Sequence, residues 1–394
     1  MKMKKVIATA LVGFMAMGML AGCGGGGDKQ NNQQGGDAVA AIKVGGTGPL
    51  TGGASIYGLA VQRGAEIAVE EVNALGGVQF EFKMEDDAHD TEKAVNAYNA
   101  LKDWGMQISL GSVTTAPGGA TSALNYEDSV FALTPSASGT SVTEGKDNVF
   151  QMCFADGNQG KVAADFINQN FAGQTIGVFY KSDDPYSNGI YEQFKANLDA
   201  SVTVVETSFS AANETDFSVQ IDTLKDCKFV FMPIYYTPAS IFMTQAKDIM
   251  AADAVYYGCD GFDGLAGQLD LTTIPQEVSM LSHFDATATE GKAAEFIKKY
   301  TEKYCTDTLN QFGASAYDSV YALFNAMKEL KAEGKEITPD MTASELCDLL
   351  VAEFTSDSFS FDGLTGDGMT WDETGAVTKS PKGMVIENGA YVGM

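Results

Sequence analysis

Short apolar runs alternate along most of this chain with longer stretches in which apolar residues recur every third or fourth position. The first run, Ile42-Lys43-Val44, leads into a glycine turn at Gly45-Gly46-Thr47-Gly48. From Tyr57 the period becomes helical, with Val61, Ala65, Ala68, Val72 and Leu75 on one face and Gly76-Gly77 as the stop. Phe80 to Met84 alternates as a strand, and Asp90-Thr91-Glu92 opens a helix carrying Ala94, Tyr98 and Leu101. Two short strands follow, Ile108 to Leu110 and Val130 to Leu133, with a helical pattern between them. Further strands are predicted at Val149 to Phe154, Thr175 to Tyr180, Val202 to Thr207, Lys228 to Ile234, Val255 to Gly258 and Val278 to His283. Helical patterns near Val162 to Phe171, Gly189 to Leu198, Phe217 to Leu224 and Ile241 to Met250 separate them. A helix through Ala293, Ile297, Tyr300 and Tyr304 precedes one through Tyr317, Val320, Tyr321, Phe324 and Met327. Thr342-x-x-Glu345 is a capping box ahead of Leu346, Leu349 and Leu350. The chain ends in two hairpin patterns, one around Trp371 to Gly375 and one turning at Asn388-Gly389. Alternation of this kind implies parallel sheets covered on both faces, the α/β class.

Two of the strands run into turns rich in small and hydroxyl residues. Ile108 to Leu110 is followed by Gly111-Ser112-Val113-Thr114-Thr115, and Val130 to Leu133 by Thr134-Pro135-Ser136-Ala137-Ser138-Gly139-Thr140-Ser141. Each turn ends a strand and opens a helix, so backbone N–H groups and hydroxyls gather on one rim of a parallel sheet, where anions bind. Neither turn holds Lys or Arg, so a single carboxylate on neutral donors is expected there rather than a polyphosphate. Gly46-x-Gly48 does not make a dinucleotide loop, because the next glycine is wrongly spaced and Pro49 lacks an N–H where donors are needed. Asp86-Asp87 reads as a loop and cap pair, since no third and fourth metal ligand accompanies it. No cofactor is expected.

Length and charge narrow the class. At 394 residues the chain exceeds one ordinary core, and two lobes of domain size are expected. Lys2, Lys4 and Lys5 precede an uncharged apolar run from Val6 to Leu20, the pattern of a secretory signal. Gly24 to Asp37 has almost nothing apolar and reads as a flexible tether. With Cys23 set aside, Cys153, Cys227, Cys259, Cys305 and Cys347 form an odd set without a CxxC pair, which points to buried free thiols rather than a disulfide framework. The net charge of -27, with one arginine (Arg63) and two histidines (His89 and His283), excludes electrostatic attraction to nucleic acid.

Four motifs carry a resemblance to a known family. They are Gly48-Pro49-Leu50-Thr51-Gly52 with Tyr57-Gly58 and Gly64-Ala65; Asp86-Asp87 with Lys93-Ala94-Val95; Cys153-Phe154-Ala155-Asp156 with Gln159-Gly160-Lys161-Val162-Ala163; and Phe361-Asp362-Gly363-Leu364-Thr365-Gly366. From Ile42 onward the sequence resembles the extracytoplasmic solute-binding proteins of ABC transporters for branched-chain amino acids, the Leu/Ile/Val-binding family. Leu20-Ala21-Gly22-Cys23 similarly resembles a bacterial lipobox, which implies that Cys23 is the first mature residue and carries a lipid.

The resemblance implies the type I periplasmic binding protein fold: two doubly wound parallel-sheet lobes joined by three hinge crossings, closing on a ligand between them. The crossings are expected near Asp156, Phe284 and Trp371, which gives one lobe of residues 41–156 and 285–370 and another of 157–284 and 371–394. By motif position, Thr115 and Ser138 hold the ligand carboxylate, and Ser136 and Ala137 supply neighbouring backbone groups. Tyr57, Val113, Tyr186 and Tyr235 wall the side chain, and Asp260 receives the ammonium. The family's acid is commonly Glu, so the shorter Asp260 is a departure. A disulfide found in some members is also absent, because His89 and Thr114 stand at its positions.

The expected protein is therefore a monomeric, non-enzymatic, lipid-anchored receptor that delivers a small amino acid of the Leu/Ile/Val type to membrane permease subunits. Another small carboxylate or an amide on the same fold is the alternative ligand. A secreted hydrolase with Thr115 or Ser138 as nucleophile is the alternative of a different class; it needs a nearby general base, and only His89 and His283 are available.

Overall fold

The computed structural model describes residues 40–387 and 390–393. The signal, Cys23 and the tether expected from the sequence lie outside the described residues. The first sheet has five parallel strands in the order β2-β1-β3-β4-β5: β1 (Ile42–Gly48), β2 (Phe80–Asp86), β3 (Ile108–Ser109), β4 (Phe131–Thr134) and β5 (Val149–Gln151). The second sheet contains β6 (Thr175–Lys181), β7 (Thr203–Phe209), β8 (Phe229–Met232), β9 (Val255–Gly258) and β10 (Glu277–Ser282), ordered β7-β6-β8-β9-β10. An antiparallel pair, β11 (Lys382–Glu387) and β12 (Ala390–Gly393), extends its β10 edge. The parallel part of each sheet thus has the same doubly wound order, although no internal sequence repeat is evident.

The helices that follow the first four strands are α1 (Ser55–Leu75), α2 (Thr91–Trp104), α3 (Thr115–Glu127) and the short α4 (Thr140–Thr143). The second sheet carries α5 (Asp156–Asn170), α6 (Pro185–Asn197), α7 (Ser218–Leu224), α8 (Tyr236–Ala246) and the short α9 (Leu265–Gln268). The chain then returns to the first lobe with α10 (Gly291–Tyr304), α11 (Gln311–Ala332) and α12 (Ala343–Phe354). Local signals set their ends. Gly76 stops α1 at φ 76°, Asp90 caps α2 through Lys93 N–H, and Thr342 and Glu345 close their capping box on α12. The tightest helix contact is between α1 and α11, where a Cβ on Gly64 would lie 2.0 Å from the Gly313 carbonyl oxygen. That close approach is why the Gly64-Ala65 motif needs glycine. Among the described residues no helix is long and apolar enough to cross a membrane.

Three passages join the lobes, after β5, after β10 and before β11, and they meet at one buried spot. Lys379 of the third donates to the Met152 carbonyl of the first at 2.6 Å and to Thr365 Oγ1 at 2.5 Å. Thr365 and Leu364 in turn donate to Asp318 of α11, so the Phe361-to-Gly366 motif wraps that carboxylate. His283 of the second passage bonds Ser315 through Nε2 at 2.6 Å and sets its ring edge on Phe154. Trp371, expected at the third crossing, lies instead in the first lobe. Its indole donates to the Gln151 carbonyl of β5, and its ring packs on Phe354 and Phe359. Trp371 also pairs with Val377, so the chain passes to the second sheet only at residues 378–381. Cys153, Cys227, Cys259 and Cys347 are buried free thiols, while Cys305, against expectation, is exposed.

Candidate functional site

The carboxyl ends of both sheets face each other, and the loops leaving β3, β4, β6, β8 and β9 line a small cavity between them. Crevices outside strand C-termini are where doubly wound sheets bind ligands. Tyr57, Val113, Thr115, Ser136, Ser138, Tyr186, Tyr235 and Asp260 line it together with Thr114, Gly261 and Phe312. Ala137 does not line it. Its N–H donates to Thr134 Oγ1 and its carbonyl accepts from Gln151, so its backbone serves the turn instead.

The two hydroxyl turns are stitched together before any ligand is considered. Thr134 Oγ1 donates to the Ser112 carbonyl at 2.8 Å, and Gly139 N–H donates to Thr115 Oγ1 at 3.2 Å. Gly111, at φ 68°, lets the first turn lie on Thr134, where a Cβ would come within 2.7 Å of the Thr134 Cα. Thr115 is the first residue of α3, so its N–H belongs to the turn that has no intrahelical acceptor. Its hydroxyl accepts from Gly139 and keeps a hydrogen to donate.

From the other lobe comes an aromatic wall. Tyr186 and Tyr235 stack at 4.5 Å between centroids, and Tyr57 meets Tyr235 edge-on at 5.7 Å. Tyr57 reaches across the cleft, its hydroxyl donating to the Gly261 carbonyl and accepting from Tyr236 N–H. Tyr186 is aimed by Asp184 and Pro185, which cap and open α6. Its hydroxyl donates to Asp260 Oδ1 at 2.6 Å and accepts from Gly261 N–H at 2.9 Å.

Asp260 is fully enclosed. Burial pushes its carboxyl up to about 6, against the opposing pull of the Tyr186 and Gln159 hydrogen bonds. A second acid that the sequence did not assign to the site, Asp156, stands at the start of α5 with Gln159 between the two. Gln159 accepts from Asp260 N–H at 3.0 Å and donates to Asp156 Oδ1 at 3.5 Å. Burial first, and the charge of Asp260 second, hold the Asp156 carboxyl well above the usual carboxylate range. The two carboxyls are electrostatically coupled, and burial raises both above the ordinary carboxylate range. Asp156 Oδ2 and the Tyr235 hydroxyl are buried without hydrogen-bond partners among the described residues. None of the residues lining the cavity is cationic.

The remaining candidates serve structure. Asp86 accepts from Leu50 N–H, Thr51 and Ala88 N–H, and Asp87 accepts from His89 N–H and Ser112. His89 bonds Thr114 rather than Thr115 or Ser138, and His283 is buried against Ser315.

A family model described as periplasmic binding protein matches residues 41–381. The chain belongs to the periplasmic binding protein family. It is a family of solute-binding receptors and not of enzymes. Among relatives, a Leu/Ile/Val-binding protein homolog 3 of Brucella melitensis is 32% identical over 218 residues, 54% of this chain and 59% of the relative. A leucine-, isoleucine-, valine-, threonine- and alanine-binding protein of Pseudomonas aeruginosa is 30% identical over 249 residues, 61% of this chain and 65% of that one. The chain thus spans about three-fifths of the length of these relatives. A solved structure of a branched-chain amino acid substrate-binding protein from Streptococcus pneumoniae, in complex with isoleucine, superposes with a TM-score of 0.75 at 26% identity, covering 89% of this chain and 97% of that one.

Proposed function

We propose that this periplasmic binding protein receives a small α-amino acid with a branched aliphatic side chain and presents it to an ABC transporter permease. The observation that carries the reading is the polarity of the cavity: one ionised carboxylate, Asp260, on one lobe faces a rim of neutral donors on the other, with no cation between them. Such a site is complementary to a zwitterion. The ligand carboxylate meets Thr115, Ser136 and Ser138, the ammonium neutralises Asp260, and the side chain packs among Tyr57, Val113, Tyr186 and Tyr235. A buried carboxylate is costly until a cation pairs with it, so the ammonium contributes selectivity as well as affinity. The names of these relatives support the ligand class. The first lobe is residues 41–155 with 284–377 and the second 156–283 with 382–387 and 390–393, joined by 378–381 as the third passage. Cys23 carries the lipid, so the receptor stays at the outer face of the cell membrane as a monomer on its tether.

Titration calorimetry with leucine and with 4-methylpentanoate, the same acid without its amine, tests the reading. Leucine should bind, and the amine-free acid should bind at least ten-fold weaker. Equal binding would make this a receptor for some other small carboxylate.

A further inference from the structure

A second cavity of about 170 Å³, open to solvent, adjoins the ligand cavity. Tyr235 lines both. The rest of the partition is His89, which lines the outer cavity, and Thr114, which lines the inner one. His89 Nδ1 and Thr114 Oγ1 are 2.9 Å apart, and the imidazole meets the Tyr235 ring edge-on at 5.4 Å. His89 is thus a residue of the first lobe closing a wall against a tyrosine of the second. Its backbone is held for the purpose. Ala88 and His89 both lie in the left-handed region, at φ 48° and 59°, and their N–H groups donate to the carboxylates of Asp86 and Asp87.

Behind the wall the chemistry changes. Phe209 supplies an apolar surface, Lys181 pairs with Glu214 at 2.5 Å, and the buried Asp184 caps α6 by accepting from Ser187 N–H. Two acids against one lysine leave this compartment net acidic, so it suits the cationic end of a longer side chain.

Resting on the amino-acid reading above, we propose that His89, with Thr114 and Tyr235, is the length filter of the site. It stops the ligand side chain at branched aliphatic size and separates it from an outer subsite that would take the ammonium or guanidinium of a lysine- or arginine-length amino acid at Asp184. His89 acts by position, through the wall it completes with Thr114 and Tyr235.

The test measures affinities of leucine, methionine and lysine for the full chain and for His89→Gly and His89→Asn, two residues that tolerate the left-handed backbone. Both substitutions remove the ring, so the methionine-to-leucine and lysine-to-leucine affinity ratios should each rise at least ten-fold. Adding Asp184→Asn, which keeps a helix cap, should abolish the lysine gain and leave the methionine gain. Leucine bound by both His89 variants with ratios within two-fold of the original would overturn the filter while leaving the receptor reading intact. Failure of the unaltered protein to bind any of the three would overturn both.

Discussion

Tyr186 holds Asp260 by a 2.6 Å hydrogen bond and is itself held by the N–H of Gly261, the residue next to that acid. A buried carboxylate that accepts from a hydroxyl stays ionised more readily than one that does not. Tyr186→Phe should therefore raise the Asp260 carboxyl above about 6 and weaken leucine about ten-fold at pH 7. Calorimetry at pH 7 and pH 8.5 checks this, because the deficit should shrink at the higher pH as Asp260 regains its charge.

Affinity should depend on pH through the same group. Ammonium binding needs Asp260 ionised, and its carboxyl sits at about 6 without ligand. Above that value affinity should be flat. Below it a proton must be displaced for each ligand bound, so the dissociation constant should rise by roughly ten-fold per pH unit. A flat profile from pH 7.5 to 5 would exclude Asp260 as the ammonium acceptor.

Stability of the unliganded protein should run the other way. Burial raises Asp87, Asp184 and Asp260 to about 6 and Asp263 to about 7. Each contributes stability that is fully present below its unfolded pKa of about 3.9 and is lost as pH rises through its folded value. Across pH 5 to 8 the melting temperature should therefore fall, and scanning calorimetry without ligand measures it. The shift produced by leucine should be larger at pH 7 than at pH 5, because the charge it neutralises is present only at the higher pH.

Thr115→Ala removes a hydroxyl that accepts from Gly139 N–H and keeps a hydrogen to donate. If that hydroxyl holds the ligand carboxylate, leucine should weaken by about 1.5–3 kcal/mol, the range for a hydrogen bond to a charged group. Thr115→Ser keeps the hydroxyl and should retain most of the affinity.

What the sequence makes legible follows from how local each signal is. The end of α1 at Gly76, the box at Thr342 and Glu345, and the strand-to-helix turns at Thr115 and Ser138 are set by neighbours in the chain. The periodicity places a helix only from Gly189, whereas α6 begins at Pro185, because Asp183-Asp184-Pro185 has a turn composition that also serves as cap and first turn. Asp156 and Gln159 stand in a quoted motif, yet their spacing looks like an ordinary helix start. Only the fold brings them beside Asp260, about a hundred residues away. Phe312, against Tyr57, is hidden for the same reason. Trp371 is misplaced because its partner, the Gln151 carbonyl, lies 220 residues earlier. Ala137 is misjudged because the Thr134 hydroxyl claims its N–H.

None of the five described cysteines is bridged, and burial holds the thiols of Cys153 and Cys259 well above their ordinary range, where they are poor nucleophiles. Among the described residues the fold therefore forms without a disulfide. The His89–Thr114 contact is a hydrogen bond, which no reductant can cleave. The lobes are therefore held without any bond that a change of redox medium would break among the described cysteines, of which Cys305 alone is exposed.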